Sequence, residues 1–183
     1  MKDRKSETDQ EYFRTLDWQN LFAEDKKAVM DKIEPITLRN INYDKPICII
    51  YNPNSGRRKN IILRIKDRLN TEDIPFKLLM TEKPFDTFLL ANSLEIDKYS
   101  ALIAVGGDGS CSEVVSGMLS RDDGKTLPFG CVPNGSGNYL CKELGIFDVD
   151  DALDTIVTAC TAKFSVIECL ADLENASDAP KGI

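Results

Sequence analysis

Short apolar runs alternate with helix-spaced segments through most of the chain. Four runs of strand length, each bounded by turn residues, cover 46–51, 76–80, 101–105 and 128–132. Apolar residues spaced three or four apart predict helices over 60–69, 85–94, 112–119, from 139 onward, and 148–159. Continuous apolar runs are typical of strands buried on both faces. The alternation predicts an α/β fold, a three-layer, doubly wound, mostly parallel sheet.

The two ends of the chain follow a different pattern. Residues 1–44 are predicted to be a polar N-terminal segment with an appended helix over 12–33, which Pro35 ends. Residues 45–163 form the predicted α/β domain. Phe164 to Leu170 is a further candidate strand, and residues 164–183 lie beyond the predicted α/β domain.

Composition and charge exclude several classes of function. The net charge is −7, and residues 145–183 carry 2 basic and 8 acidic side chains, which disfavours binding to nucleic acid. No run is long enough to cross a membrane, and the charged N-terminus predicts no secretory signal. We therefore expect a cytoplasmic protein whose six cysteines are reduced and mostly buried. The absence of histidine excludes a histidine base or metal ligand.

Three loops rich in glycine and small polar residues follow three of the predicted strands. They are Asn52-Pro53-Asn54-Ser55-Gly56, Gly106-Gly107-Asp108-Gly109-Ser110 and Pro133-Asn134-Gly135-Ser136-Gly137-Asn138. Ligands of open parallel sheets bind beyond the carboxyl ends of the strands. Glycine lets a backbone approach a phosphate closely, and the N–H groups at the next helix start face the anion. Each loop alone could be a plain connection, but three on one edge predict a phosphate site.

Two acids belong to the second loop and the helix after it. Asp108 is the one acid inside the three loops, and its glycine neighbours predict an exposed side chain. It could contact magnesium, act as a base for a hydroxyl nucleophile, or cap a helix that starts near Ser112; we favour the functional roles. Glu113 could contact a ligand or magnesium, or only interact with the helix dipole.

Further polar residues follow the first two strands. Thr81-Glu82 lies on the same predicted edge and could contact ribose or phosphate, or supply only a cap and a surface acid. Arg57, Arg58 and Lys59 follow the first loop, where they could reach a phosphate or be only solvated.

In this order and spacing the loops resemble the catalytic domain of the diacylglycerol kinase and sphingosine kinase superfamily. Asn52-Pro53-x-Ser55-Gly56, Gly106-Gly107-Asp108-Gly109 and Pro133-Asn134-Gly135-Ser136-Gly137-Asn138 carry the resemblance. Thr81-Glu82 and Glu113-Val114-Val115-x-Gly117 also match. The similarity covers about Lys45 to Leu170. The run from Val115 to Arg121 is most similar to the sphingosine and ceramide kinase branch.

The resemblance implies an ATP-dependent lipid kinase that uses Mg²⁺ and contacts a membrane peripherally to reach its lipid substrate. The implied acceptor is a sphingosine-type base, ceramide or diacylglycerol. Asp108 is implied as the catalytic base or a magnesium contact, although in bacterial diacylglycerol kinases the base comes from the second domain. The implied ATP-binding residues are Asn52, Pro53, Asn54, Ser55, Gly56, Thr81, Glu82, Lys83, Gly106, Gly107, Gly109, Glu113, Gly135, Ser136, Gly137 and Asn138.

The chain departs from the family pattern in its extent. The family has a β-sandwich domain after the α/β domain, and most of it is absent here, so no motif anchors Asp172 or Asp178 as lipid contacts. We expect the isolated chain to bind nucleotide with little lipid turnover. The alternatives are an NAD kinase or phosphofructokinase-like enzyme, and a catalytically silent nucleotide-binding module.

Overall fold

The computed structural model of this chain describes residues 39–56, 60–164 and 166. The predicted N-terminal helix, the basic run Arg57 to Lys59, Asp172 and Asp178 lie outside these residues. The elements in chain order are β1 (Arg39–Asn40), β2 (Ile47–Tyr51), α1 (Ile61–Thr71), β3 (Phe76–Met80), α2 (Asp86–Asn92), a 3-10 turn (Ile96–Lys98), β4 (Leu102–Gly106), α3 (Asp108–Leu119), β5 (Phe129–Pro133), α4 (Tyr139–Glu143), α5 (Val149–Thr158) and β6 (Cys160–Thr161).

A four-stranded parallel sheet forms the centre of the fold. Its strand order is β3-β2-β4-β5, and Ile49 in β2 pairs with Leu78 on one side and Ile103 on the other. After β3 the chain crosses over β2 to form β4, so the order reverses between β2 and β4. This reversal is the switch point at which open α/β sheets bind ligands.

The strands are buried as their apolar runs predict. Ile47, Cys48, Ile49 and Ile50 are each no more than 1% exposed. Helices α2 and α3 pack against each other, and α1 packs against α5. Helix α1 places Ile61, Ile65 and Leu69 in the core, which is the helical spacing seen in the sequence. The predicted α/β fold with its parallel sheet is therefore confirmed.

A small second sheet joins the two ends of the described region. Strand β1 pairs antiparallel with β6, and the amide of Ile41 donates to the carbonyl of Ala159 at 2.9 Å. The Tyr43 hydroxyl donates to the carbonyl of Ile156 at 2.7 Å. Residues just before 45 thus pack on the α/β domain. The candidate strand from Phe164 falls mostly outside the described residues, and Phe164 itself is not in a strand.

Helix α3 begins four residues earlier than the sequence predicted. The expected start was Ser112, but Asp108 is already the first helical residue and Gly107 is the N-cap. Glycine lowers helix propensity, so the pattern of Gly107 to Ser110 indicated a loop. Burial of Ser110 and Cys111 decides the outcome, because it holds this segment against the sheet.

None of the helices in the described region has the length and apolar character needed to cross a bilayer.

Candidate functional site

The three polar loops meet at the carboxyl edge of the sheet, on both sides of the switch point. The first follows β2, the second joins β4 to α3, and the third joins β5 to α4. Backbone bonds continue the sheet into them. The amide of Asn52 donates to the carbonyl of Val105 at 3.3 Å, and the amide of Asn134 donates to the carbonyl of Gly106 at 2.8 Å. The sequence prediction that these loops share one edge is correct.

A serine side chain ties the first loop to the second. The Ser55 hydroxyl accepts a hydrogen bond from the Gly107 amide at 3.1 Å. Asn52 closes the turn that presents this serine, because its carbonyl accepts from the Ser55 amide and its Oδ1 accepts from the Asn54 amide. Pro53 and Asn54 at the turn are exposed. The polar residues of the first loop therefore shape the loop and position Ser55.

The first and third loops touch through Gly56 and Asn134. Gly56 has φ +79°, and a Cβ there would lie 1.6 Å from the carbonyl oxygen of Asn134. The Asn134 side chain donates from Nδ2 to the Ser55 carbonyl at 2.7 Å and is only 4% exposed. Sequence reasoning did not include Asn134 among the site residues. Asparagine is an ordinary turn residue, so nothing in the sequence distinguished it.

The second and third loops approach each other through two glycines. A Cβ on Gly135 would lie 2.5 Å from the Gly107 Cα, and a Cβ on Gly107 would lie 3.1 Å from the Gly135 Cα. Asn138 fixes the third loop, because its side chain accepts from the Gly135 amide at 2.8 Å and donates to the Gly135 carbonyl at 2.9 Å. These glycines are required by contact between the loops themselves. The sequence argument had attributed them to contact with phosphate.

Gly109 differs from the other glycines of the site. Apart from its chain neighbours and its own helix backbone, no described residue comes within 4 Å of the position that its Cβ would take, and Gly109 is exposed. It is the second residue of α3, where backbone N–H groups precede the first intrahelical bond, from Cys111 to Gly107. The amides at this helix start and the helix dipole together favour an anion.

Asp108 lies where the second loop, the third loop and α4 meet. Its Oδ1 accepts a hydrogen bond from the Leu140 amide at 3.0 Å. Its Oδ2 is 3.0 Å from the position that a Cβ on Gly137 would occupy. The expectation of a fully exposed side chain is wrong, because the residue is half-buried. It does not cap a helix that starts near Ser112 either, and its carboxylate instead holds the first turn of α4.

Glu113 lies in the second turn of α3, because the helix starts at Asp108. The expectation that Glu113 lies in the first turn, where it would interact with the helix dipole, is therefore wrong. The Glu113 side chain is half-buried.

The residues after β3 form a separate group one strand away from the glycine loops. The Thr81 amide donates to the Tyr51 carbonyl at 3.0 Å, and Thr81 is buried. The amides of Glu82 and Lys83 both donate to Oδ2 of Asp86 at 2.8 Å, and these bonds lower the pKa of Asp86. Glu82 and Lys83 have exposed side chains. They share the edge of the sheet with the loops, and among the residues that the structure describes no hydrogen bond joins the two groups.

The acidic side chains near the loops are few. Within residues 39–56 and 60–164, no cluster of three or more acids and cysteines has the arrangement of a metal site. Asp108 is the one carboxylate in the three loops, and Ser136 on the third loop is exposed. Magnesium in phosphate-binding enzymes commonly takes one or two carboxylates, with phosphate and water as its other ligands. A single carboxylate at Asp108 fits that pattern of partial protein ligation.

Comparison with known proteins places this fold and site in one family. The family model of the diacylglycerol kinase catalytic domain matches residues 46–169. The chain belongs to this family of lipid kinase catalytic domains.

Individual relatives include both kinds of lipid kinase. Sphingosine kinase 1 of Arabidopsis thaliana is 32% identical over 130 residues, which cover 68% of this chain and 27% of that protein. The diacylglycerol kinase of Bacillus subtilis is 32% identical over 113 residues, which cover 60% of this chain and 37% of that protein. The crystal structure of a diacylglycerol kinase from Bacillus anthracis matches with a TM-score of 0.56 at 21% identity, over 64% of this chain and 41% of that one. The chain thus spans less than half the length of these relatives.

Proposed function

We propose that this chain is the nucleotide-binding part of a lipid kinase that transfers the γ-phosphoryl group of ATP to a lipid hydroxyl, with a sphingosine-type long-chain base as the acceptor. The observation that carries the proposal is the convergence of three bonded loops on the start of α3. There, open space at Gly109 adjoins backbone N–H groups and the Asp108 carboxylate.

The loops supply binding for the phosphate groups of ATP. Amides at the start of a helix are suited to an anion because the helix dipole adds to their hydrogen bonds. The bonds among Ser55, Gly107 and Asn134 fix these amides before a ligand arrives. Rigid placement reduces the entropy that nucleotide binding must overcome. The third loop, with Gly135 to Asn138, forms the opposite wall.

The edge group from Thr81 to Phe85 is assigned to the nucleoside. Phe85 is 51% exposed and has φ +66°, so its ring stands out from the start of α2. An exposed ring beside a phosphate site offers a face on which a purine base can stack. Glu82 and Lys83 have exposed side chains, and Asp86 holds their backbone in place for contacts to the ribose or phosphates.

Asp108 is assigned to the transfer step. Its Oδ1 is occupied by the Leu140 amide, which leaves Oδ2 as the oxygen available for chemistry. That oxygen would either hold Mg²⁺ or accept the proton of the lipid hydroxyl. If Asp108 holds Mg²⁺, the ion would supply positive charge that offsets the negative charge developing on the transferred group.

The proposal of a sphingosine-type acceptor is based on the amino-acid sequences of the loops and of helix α3. The Arabidopsis and Bacillus subtilis relatives named above are a sphingosine kinase and a diacylglycerol kinase at the same identity. The run from Val115 to Arg121 favours the first of them. A lipid acceptor also requires peripheral contact with a membrane surface, which the proposal includes.

Calorimetric titration of this chain with ATP and Mg²⁺ tests the nucleotide site. We expect saturable binding that the Gly135→Ala substitution weakens. A chain that is folded by circular dichroism yet shows no binding at millimolar ATP would refute the proposal. GTP in place of ATP serves as the control for recognition of the base.

An acceptor panel tests the reaction. The complete gene product is incubated with γ-labelled ATP and, in separate mixed micelles, sphingosine, ceramide and diacylglycerol. We expect label to enter sphingosine most rapidly. NAD is included in the panel, and labelling of NAD without labelling of any lipid would replace the proposal with a different kinase reaction.

A further inference from the structure

Three buried cysteine thiols from the elements around the third loop interact with one another. Cys111 comes from the first turns of α3, Cys131 from β5 and Cys141 from α4. They are 2%, 2% and 1% exposed. The Sγ atoms of Cys131 and Cys141 are 3.3 Å apart. All three are free thiols in this structure.

These thiols are unlike the other cysteines of the described region. Cys48 lies in the centre of β2, where burial raises its pKa to about 12. Cys160 is half-exposed in β6. Neither of these two has a thiol hydrogen-bond partner among the described residues. Two sulfur atoms 3.3 Å apart need to approach by only about 1.3 Å to reach the length of an S–S bond, about 2.05 Å.

The surroundings make Cys141 the member of the cluster that ionises first. Contacts with the neighbouring thiols of Cys111 and Cys131 lower the pKa of the Cys141 thiol. The pKa of Cys131 is raised by the same contacts and by burial. The thiolate is the reactive form of cysteine, so oxidation begins at Cys141.

Cys141 is buried, so an oxidant reaches its thiol only when helix α4 opens locally. Helix α4 has five residues, too few for a helix to be stable by itself. Tyr139 on α4 is 71% exposed and Leu144 just after it is 47% exposed, so little packing covers its outer side. Segments with few buried contacts open at low free energy while the rest of the protein stays folded. Opening of α4 exposes Cys141.

We propose that Cys131 and Cys141 are a redox modification site, at which a hydroperoxide forms a reversible disulfide that alters the third loop and Asp108. The Cys141 thiolate attacks the peroxide, the O–O bond breaks, and a sulfenic acid and hydroxide form. The Cys131 thiol then attacks this sulfur, the S–S bond forms, and the sulfenic oxygen leaves as water. In sum, two thiols lose two electrons and two protons, and hydrogen peroxide becomes two waters.

The disulfide acts on the site because α4 carries parts of it. The two sulfur atoms must approach from 3.3 Å to about 2.05 Å, which draws α4 toward β5. Asn138, which fixes Gly135, is the N-cap of α4, and Asp108 is bonded to the second residue of α4. Movement of α4 therefore shifts the third loop and releases the Asp108 carboxylate. This consequence for ATP rests on the proposed function, whereas the disulfide itself does not.

The sequence makes the disulfide easy to identify. Trypsin releases residues 126–142 as one peptide that holds both Cys131 and Cys141, while Cys111 is in residues 99–121. The proposed disulfide closes a loop within one peptide, which becomes lighter by two hydrogen atoms. A disulfide to Cys111 would instead join two peptides.

The experiment treats the folded chain with hydrogen peroxide, blocks the remaining thiols with iodoacetamide, and maps the tryptic peptides with and without dithiothreitol. We expect residues 126–142 to be closed, and dithiothreitol to reopen them. Cys141→Ala should abolish the closure, and Cys48→Ala, the matched control in the core, should leave it unchanged. The proposal would be overturned if Cys131 and Cys141 were still alkylated after a peroxide dose that oxidises exposed methionines. A disulfide between Cys111 and another cysteine in the wild type would also overturn it.

The functional part is measured on the same samples. ATP affinity is expected to fall on the order of tenfold on oxidation and to recover with dithiothreitol, and Cys141→Ala should not respond. Saturating ATP with Mg²⁺ should slow closure of the peptide by holding α4 in place. Closure with unchanged ATP affinity would overturn the coupling to the site. Closure in a protein that never binds ATP, even when reduced, would refute the proposed nucleotide site and leave the disulfide intact.

Discussion

Gly135→Ala is expected to destabilise the protein in the absence of any ligand. The new Cβ would lie 2.5 Å from the Gly107 Cα and 3.0 Å from Oδ1 of Asn138. Ordinary contact between carbon atoms starts at about 3.5 Å, so the second and third loops must separate by about 1 Å. Overpacking of this kind costs about 1–3 kcal/mol. A cost of about 2 kcal/mol lowers the Tm of a protein of this size by about 4–8 °C.

The matched control is Gly109→Ala in the same glycine loop. No other part of the described chain comes within 4 Å of its Cβ position, so we expect the Tm to stay the same or rise slightly. Differential scanning calorimetry without nucleotide compares the two variants with the wild type. If glycine were needed at Gly135 only for contact with phosphate, the Tm of the ligand-free variant would equal that of the wild type. That result would refute the reasoning from loop contact.

Three further substitutions test other parts of the site and its support. Asp108→Asn should retain the Tm, since an amide oxygen can still accept from the Leu140 amide, but it should lose phosphoryl transfer in a labelled-ATP assay of the complete gene product. Wild-type turnover in this variant would contradict the assignment of Asp108 to the transfer step. Recovery of turnover at high Mg²⁺ would favour a metal contact over a base. Ser55→Ala leaves the Gly107 amide without its hydrogen-bond acceptor. We expect urea unfolding to show a loss of stability of about 1–3 kcal/mol, together with weaker ATP binding. Unchanged stability and unchanged ATP affinity would refute the role of this hydrogen bond in joining the two loops. The side chain of Arg121 lowers the pKa of Asp123 from 3.8 to about 2, so this pair stabilises the fold above pH 4 and that stability is lost as the pH falls toward 2. Acid titration of Asp123→Asn should therefore converge on the wild-type curve near pH 2, and parallel curves down to that pH would contradict the pairing.

The fold was predictable because its signals are local and strong. The runs at 47–51 and 102–106 contain almost only apolar residues, which indicates strands buried on both faces. Helices between such strands require a parallel sheet, and parallel strands place all their following loops on one edge. The order of the strands and the right-handed crossovers between them then leave few arrangements other than one in which the three loops are neighbours.

The start of α3 was not predictable from local pattern. Gly107, Asp108 and Gly109 have low helix propensity, so they indicate a loop. Tertiary packing overrides this preference, because Ser110 and Cys111 are buried against the sheet. The earlier start changes the meaning of two residues: Asp108 becomes the first helical residue, and Glu113 moves away from the helix end.

The role of Asn134 and the cysteine cluster depended on distance in space. Asn134 is 79 residues from Ser55, to which its side chain donates, and Cys131 and Cys141 come from different elements. No spacing rule connects such residues. An asparagine in a turn and a cysteine in an apolar run have ordinary local explanations.

The sequence by itself determined the class of fold, the edge of the sheet at which the polar loops lie, and the residue types at that edge. These follow from periodicity and from the order of strands and loops along the chain. Only the tertiary structure decided what each residue contacts. Gly56, Gly107 and Gly135 lie at contacts between loops. The Asp108 carboxylate accepts a hydrogen bond from the first turn of α4. The thiols of Cys131 and Cys141 contact each other across the elements on either side of the third loop. The physical reason is that close packing is set by pairs of residues far apart in the chain, which a local pattern does not encode.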